Sequence, residues 1–103
     1  MQKSFLNRSA ICCRYGKNNY IFQEKSPAHN IFFVSSGTVA LWKEDIYARK
    51  NIIRFAKEGD LLGYRGSFTG DHTYRLSAGA MQDSSIYSLE KDVFEAVLKE
   101  NSQ

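Results

Sequence analysis

The stretch Glu58 to Phe68, EGDLLGYRGSF, carries the spacing with the clearest chemical meaning in this chain. Gly63 and Gly66 lie three positions apart just after an apolar pair, with Tyr64 and Arg65 between them and Ser67 following. Glycine permits positive φ and lets another molecule approach the main chain closely. Successive N–H groups in such a turn can form a concave site for an anion. Tyr74 and Arg75, a few residues on, add a second aromatic–cation pair that could line or flank such a site. A G-x-x-G also serves simply to bend the chain between two strands. In that case the tyrosines fill the edge of the core and the arginines sit in solvent.

Other chemistries find less support. His29 and His72 fall in loop segments without a partner, so no metal site is expected. Asp60, Asp71 and Asp83 belong to turns, where the carboxylate supports local backbone hydrogen bonds. No nucleophile, base and orienting group stand in a recognisable order, and the chain is not expected to be an enzyme. Cys12 and Cys13 are the only cysteines and are adjacent. Disulfide geometry disfavours bonding between neighbours, and two thiols do not complete a zinc or iron–sulfur site. Reduced thiols and a cytoplasmic location follow as expectations.

The 103 residues suit one domain with a single modest core. A 43% apolar content, 14% aromatics and a lone proline argue against disorder. The longest obvious apolar runs, such as Ile31-Phe32-Phe33-Val34, are far short of the roughly 20 residues of a membrane span. Met1 to Ser4 leads into no apolar signal region. The net charge of +3 is spread from Lys3 to Lys99, so no basic stripe for nucleic acid stands out.

Residues 1–12 form an arm or helix in this reading, and short apolar runs separated by polar turns follow, as in an antiparallel β protein. Strands are expected at Tyr20–Gln23, Ile31–Ser35, Thr38–Lys43, Asn51–Ala56, Tyr74–Met81 and Ser85–Leu89. Ser36-Gly37 marks a tight hairpin turn. Val39 and Leu41 share one face and Ala40 and Trp42 the other; Ile53 and Phe55 point one way and Arg54 the other. From Lys91 the period becomes helical, with a stripe of Val93, Phe94, Val97 and Leu98. So many short strands need two packed sheets or a closed roll, giving an all-β sandwich with a helical C-terminal edge.

Several segments, in order, resemble a known superfamily. These are Tyr20-Ile-Phe-Gln-Glu24, Ile31-Phe-Phe-Val-Ser-Ser-Gly37, Ile53-Arg-Phe-Ala-Lys-Glu-Gly-Asp60, Leu62-Gly-Tyr64, Ala78-Gly-Ala-Met-Gln-Asp-Ser84 and Lys91-Asp-Val-Phe94. The chain resembles the cyclic nucleotide-binding domains, and within them the bacterial Crp–Fnr transcription regulators. The resemblance implies a double-stranded β-helix, or jelly roll, over residues 13–100 with small flanking helices. It makes residues 101–103 a tail, with the dimerisation helix and helix-turn-helix domain not included in these residues.

The resemblance also makes Gly63 to Phe68 the phosphate-binding cassette. Members that bind cyclic AMP have a glutamate after the glycine, accepting a hydrogen bond from the ribose. They also carry an arginine at the start of the next strand, paired with the cyclic phosphate. Here Tyr64 holds the glutamate position, and the arginine position falls on Tyr74. Arg75 is one residue off, which on a strand reverses the face, unless a bulge at Thr69–Thr73 restores it. Arg65 offers another cation within the cassette.

The expected function is therefore an effector-sensing domain whose pocket diverges from that of cyclic AMP binders. Its ligand-flanking residues are Gly63, Tyr64, Arg65, Gly66, Ser67, Tyr74 and Arg75. A cyclic nucleotide or another small anionic effector is the expected ligand class, with homodimerisation and DNA contact assigned to the segments that follow in the family. The alternatives are a genuine cyclic nucleotide module acting on another partner, and a scaffold without a small ligand.

Overall fold

Short runs with alternating apolar positions pair into two four-stranded antiparallel sheets. The structure, a computed structural model, describes residues 10–64 and 70–101. The strands are β1 (Ile11–Tyr15), β2 (Tyr20–Phe22), β3 (Asn30–Ser36), β4 (Thr38–Glu44), β5 (Lys50–Lys57), β6 (Leu61–Leu62), β7 (Ser77–Ala80) and β8 (Ser84–Glu90). One sheet has the order β1-β8-β3-β6 and the other β2-β7-β4-β5. A helix, α1 (Lys91–Asn101), follows β8 directly.

The facing sides of the two sheets make the core. Phe32 and Val34 of β3 and Ile86 of β8 meet Val39 and Leu41 of β4 and Ala78 of β7, with Phe22 and Tyr74 joining the same cluster. Period-two alternation alone sends these residues inward. The β3–β4 connection requires its glycine. Gly37 has φ +98°, and a β-carbon there would fall on the Ser84 side chain. α1 packs on β3 and β8, the strands on which Ile31 and Leu89 lie in register and are buried apart from the central cluster. Val97 is the buried member of the helical stripe, whereas Leu98 is exposed. Asp92 in the first turn and Lys99 in the last suit the helix dipole.

Three expectations are corrected. β1 begins at Ile11, inside the segment read as an arm, because Cys12 and Cys13 pair with Tyr87 and Ile86 of β8. The strand read over Tyr74–Met81 is shortened to Ser77–Ala80. Upstream of Ser77 the backbone pairs with the loop after β2 instead: Tyr74 N donates to Ser26 O at 3.0 Å and Lys25 N to Tyr74 O at 2.9 Å. In β5, a register shift between Leu41 and Trp42 sets Ile52 opposite Trp42 and Arg54 opposite Leu41. The simple division of Ile53 from Arg54 by face is lost at this irregularity.

The outer face of the second sheet is also apolar. Trp42 is buried there against the edge of Tyr20, with the Lys50 ammonium 4.3 Å from its ring centroid. Ile52 and Phe55, on the same edge strand, are half exposed.

Candidate functional site

β6 delivers the chain to Gly63 after only two paired residues, Leu61 opposite Phe33 and Leu62 opposite Phe32. Leu62 is anchored in the core, so the backbone must turn directly at Gly63, where φ is +81°. A β-carbon on Gly63 would lie 2.9 Å from Tyr74 Cε1 and 3.3 Å from the carbonyl oxygen of Asn30. The Tyr74 hydroxyl donates to that same Asn30 oxygen at 3.0 Å. Its ring stacks on Phe22 with centroids 4.1 Å apart and planes 18° from parallel. Tyr74 is thus held at its backbone, ring and hydroxyl, each by a different partner. Burial pushes its phenol above the ordinary pKa of 10.0, against the smaller lowering effect of the Asn30 bond.

Gly63 and Tyr74 border an open pocket of about 490 Å³. Phe22, Leu41 and Tyr74 contribute from the core, and Leu61, Leu62 and Leu76 add aliphatic surface. Ile53, Arg54, Tyr64 and Arg75 complete the described lining. Two arginines therefore line a pocket whose other described lining is aliphatic and aromatic apart from Gly63. Arg54 is exposed and makes no ion pair among the described residues. Arg75 also reaches toward Gly70, where a β-carbon would lie 2.9 Å from its Nη2. Asp71 feels its charge: the Thr73 hydroxyl at 2.7 Å is the main reason that carboxyl sits below its ordinary range, with Arg75 a lesser one.

Of the residues singled out in the sequence, Gly63, Tyr64, Tyr74 and Arg75 are brought to one pocket. Arg65, Gly66 and Ser67 lie outside the described residues. The alternation that would turn Arg75 away from Tyr74 does not apply, because the two precede β7 and are not in a strand. Tyr64 is half exposed and meets Phe94 of α1 edge to face at 5.6 Å. Sequence reasoning did not find Phe22, Asn30 or Arg54. Asn30 acts through its backbone oxygen, which no side-chain pattern reveals, and Arg54 pairs in regular register with Leu41 on a strand that carries no motif. Among the described residues no group of three metal-ligating side chains occurs, and no helix is long and apolar enough to cross a membrane.

This topology, with a glycine turn leaving a two-residue strand beside the pocket, has clear counterparts. The sequence pattern of the cyclic nucleotide-binding domain family matches residues 12–101, and the chain belongs to that family. It is 26% identical over 85 residues to the anaerobic regulatory protein of Bacillus subtilis (strain 168), covering 82% of this chain and 36% of that one. FixK2 from Bradyrhizobium japonicum superimposes with a TM-score of 0.77 at 26% identity, over 91% of this chain and 46% of that one. The sensor domain of the transcriptional regulator DNR from Pseudomonas aeruginosa shares the fold with a TM-score of 0.86 at 21% identity, over 94% and 65% of the two chains. The chain thus spans little more than a third of its curated relative. The all-β fold expected from the sequence, and its likeness to the Crp–Fnr regulators, agree with these matches.

Proposed function

We propose that this chain is the effector-sensing domain of a bacterial, cytoplasmic transcription regulator of the Crp–Fnr type, with a pocket that does not read cyclic AMP. The observation that carries this reading is the placement of Tyr74. The family resemblance puts a phosphate-pairing arginine at its position, but here a buried ring is stacked on Phe22 and tied to Asn30. Displacing it forfeits a stack and a hydrogen bond together worth about 1–3 kcal/mol. That alone weakens a competing nucleotide by roughly one to two orders of magnitude. The ribose-binding carboxylate is absent as well, since Tyr64 occupies that position and contacts Phe94. A site built for hydrogen bonds loses most of its discrimination when those partners are missing.

In this reading the regulator dimerises and contacts DNA through segments outside these residues, and the domain supplies the effector response. Its relatives are regulators, and the described lining holds no nucleophile–base pair. Calorimetric titration with cyclic AMP and cyclic GMP tests the proposal, with no saturable heat expected. Micromolar binding, lost with Arg75→Ala and retained with Lys25→Ala, would instead identify a genuine cyclic nucleotide module.

A further inference from the structure

The described lining of the pocket beside Gly63 differs chemically from one that must hold a nucleotide. Eight of its eleven described lining residues are Phe, Leu, Ile or Tyr; the others are Gly63, Arg54 and Arg75. None of the eleven is Asp, Glu, Asn, Gln, Ser or Thr. A sugar needs several side-chain acceptors and donors, and a hydroxyl buried without a partner is costly. Of the two phenols, the Tyr74 hydroxyl already donates to Asn30. Among the described lining residues, the charged ones are two arginines of the same sign. Asp71, the carboxylate that senses Arg75, is outside the lining.

A ligand that fits these surfaces has an apolar body and one anionic group. The aromatic and aliphatic walls reward burial of an apolar body. A guanidinium fork matches a planar carboxylate through two parallel hydrogen bonds. The volume of about 490 Å³ lies within the ordinary range for small-ligand sites. We infer that this pocket binds an amphiphilic monocarboxylate, an aryl or medium-chain alkyl acid, with its body against Phe22, Leu41, Leu62 and Leu76 and its carboxylate between Arg54 and Arg75. The inference rests on the reading of the chain as a sensor with a pocket that does not read cyclic AMP.

Arg54 is the more telling of the two cations. Its place on β5 has no motif behind it; it pairs in regular register with Leu41, on the inward face that Ala56 also occupies. As an edge strand, β5 pairs only with β4, so Arg54 can adjust to a ligand without breaking a second ladder.

The test is calorimetric titration of the chain with 3-phenylpropionate and octanoate, beside the uncharged 3-phenylpropan-1-ol and cyclic AMP. Side-chain Nε–H resonances of Arg54 and Arg75 are followed in parallel by NMR. At least one acid is expected to bind at one site and shift both resonances, with the alcohol at least about tenfold weaker. Arg54→Gln should weaken the acid by about tenfold or more while leaving the alcohol unchanged. Thermal unfolding confirms that this exposed substitution leaves the fold intact. Equal binding of acid and alcohol, or acid binding indifferent to Arg54→Gln, overturns the inference. If neither acid binds and cyclic AMP also fails, this inference falls while the broader reading stands. If cyclic AMP binds and the acids do not, both fall.

Discussion

Tyr74 lies against the bare α-carbon of Gly63, and both approach the carbonyl oxygen of Asn30. A side chain at position 63 would meet the tyrosine ring at 2.9 Å and that oxygen at 3.3 Å. The glycine has two roles here. Its positive φ of 81° turns the chain off β6, and its missing β-carbon leaves room for the ring. In this protein the turn at Gly63 is therefore packed against an aromatic side chain.

Gly63→Ala should destabilise the chain by about 1–3 kcal/mol, combining backbone strain with the steric contact. Tyr74→Leu removes the ring edge and relieves only the steric part. A double-mutant cycle by urea unfolding should show the two changes to be non-additive by about 0.5 kcal/mol or more. Strict additivity would mean that the ring does not constrain position 63.

Tyr74→Phe keeps the stack on Phe22 and loses the bond to Asn30, at an expected cost of about 0.5–1.5 kcal/mol near neutral pH. It should also change the alkaline limb of stability. The phenol is raised above its ordinary value of 10.0 by burial, so the unfolded chain loses this proton first. The resulting contribution is fully present below that ordinary value and is lost as pH rises through the folded one. Tyr15, raised by burial and by Cys13, adds a second contribution of the same sign. Unfolding midpoints measured on either side of pH 10.0 should fall more steeply in the parent than in Tyr74→Phe. Parallel slopes would show that the Tyr74 phenol is not protected.

The architecture was legible because it rests on alternation and turn chemistry. Val39 and Leu41 point inward by period two, and Gly37 sits where a side chain would strike Ser84. The pocket was legible only in part. Gly63 and Tyr74 could be placed from the order of turns, but the partner that orients Tyr74 is a backbone oxygen. The Tyr74–Leu76 segment reads as strand by its residue types, yet its hydrogen bonds go to the loop at Lys25 and Ser26. Nothing local in the sequence encodes that choice. The β4–β5 register shift is equally silent, and with it the placing of Ile53.

On the acid side the Lys43–Glu24 pair, 2.9 Å apart, should be visible in the titration of Glu24. Burial pulls this carboxyl upward but is outweighed by Lys43 and the Glu44 N–H, so its pKa lies below 4.5. The unfolded chain then takes up this proton first as pH falls. The contribution is present above 4.5 and disappears through the lower folded value. Lys43→Gln should raise the Glu24 pKa in carboxyl NMR and cost about 0.2–1 kcal/mol at neutral pH, the Lys43 side chain being 58% exposed. An unchanged Glu24 titration would show that the pair does not persist in solution.

The central claim is that the ring of Tyr74 and the aromatic residue at position 64 have displaced the cyclic phosphate from the Gly63 turn. Backbone amide NMR of the chain during titration with cyclic AMP reads that turn directly. The expected result is that the Gly63 and Tyr64 amides do not shift in a saturable way up to about 1 mM nucleotide, the range of weak adventitious association. A saturating shift at Gly63 at micromolar cyclic AMP, with the Tyr74 ring resonances moving in step, would contradict it.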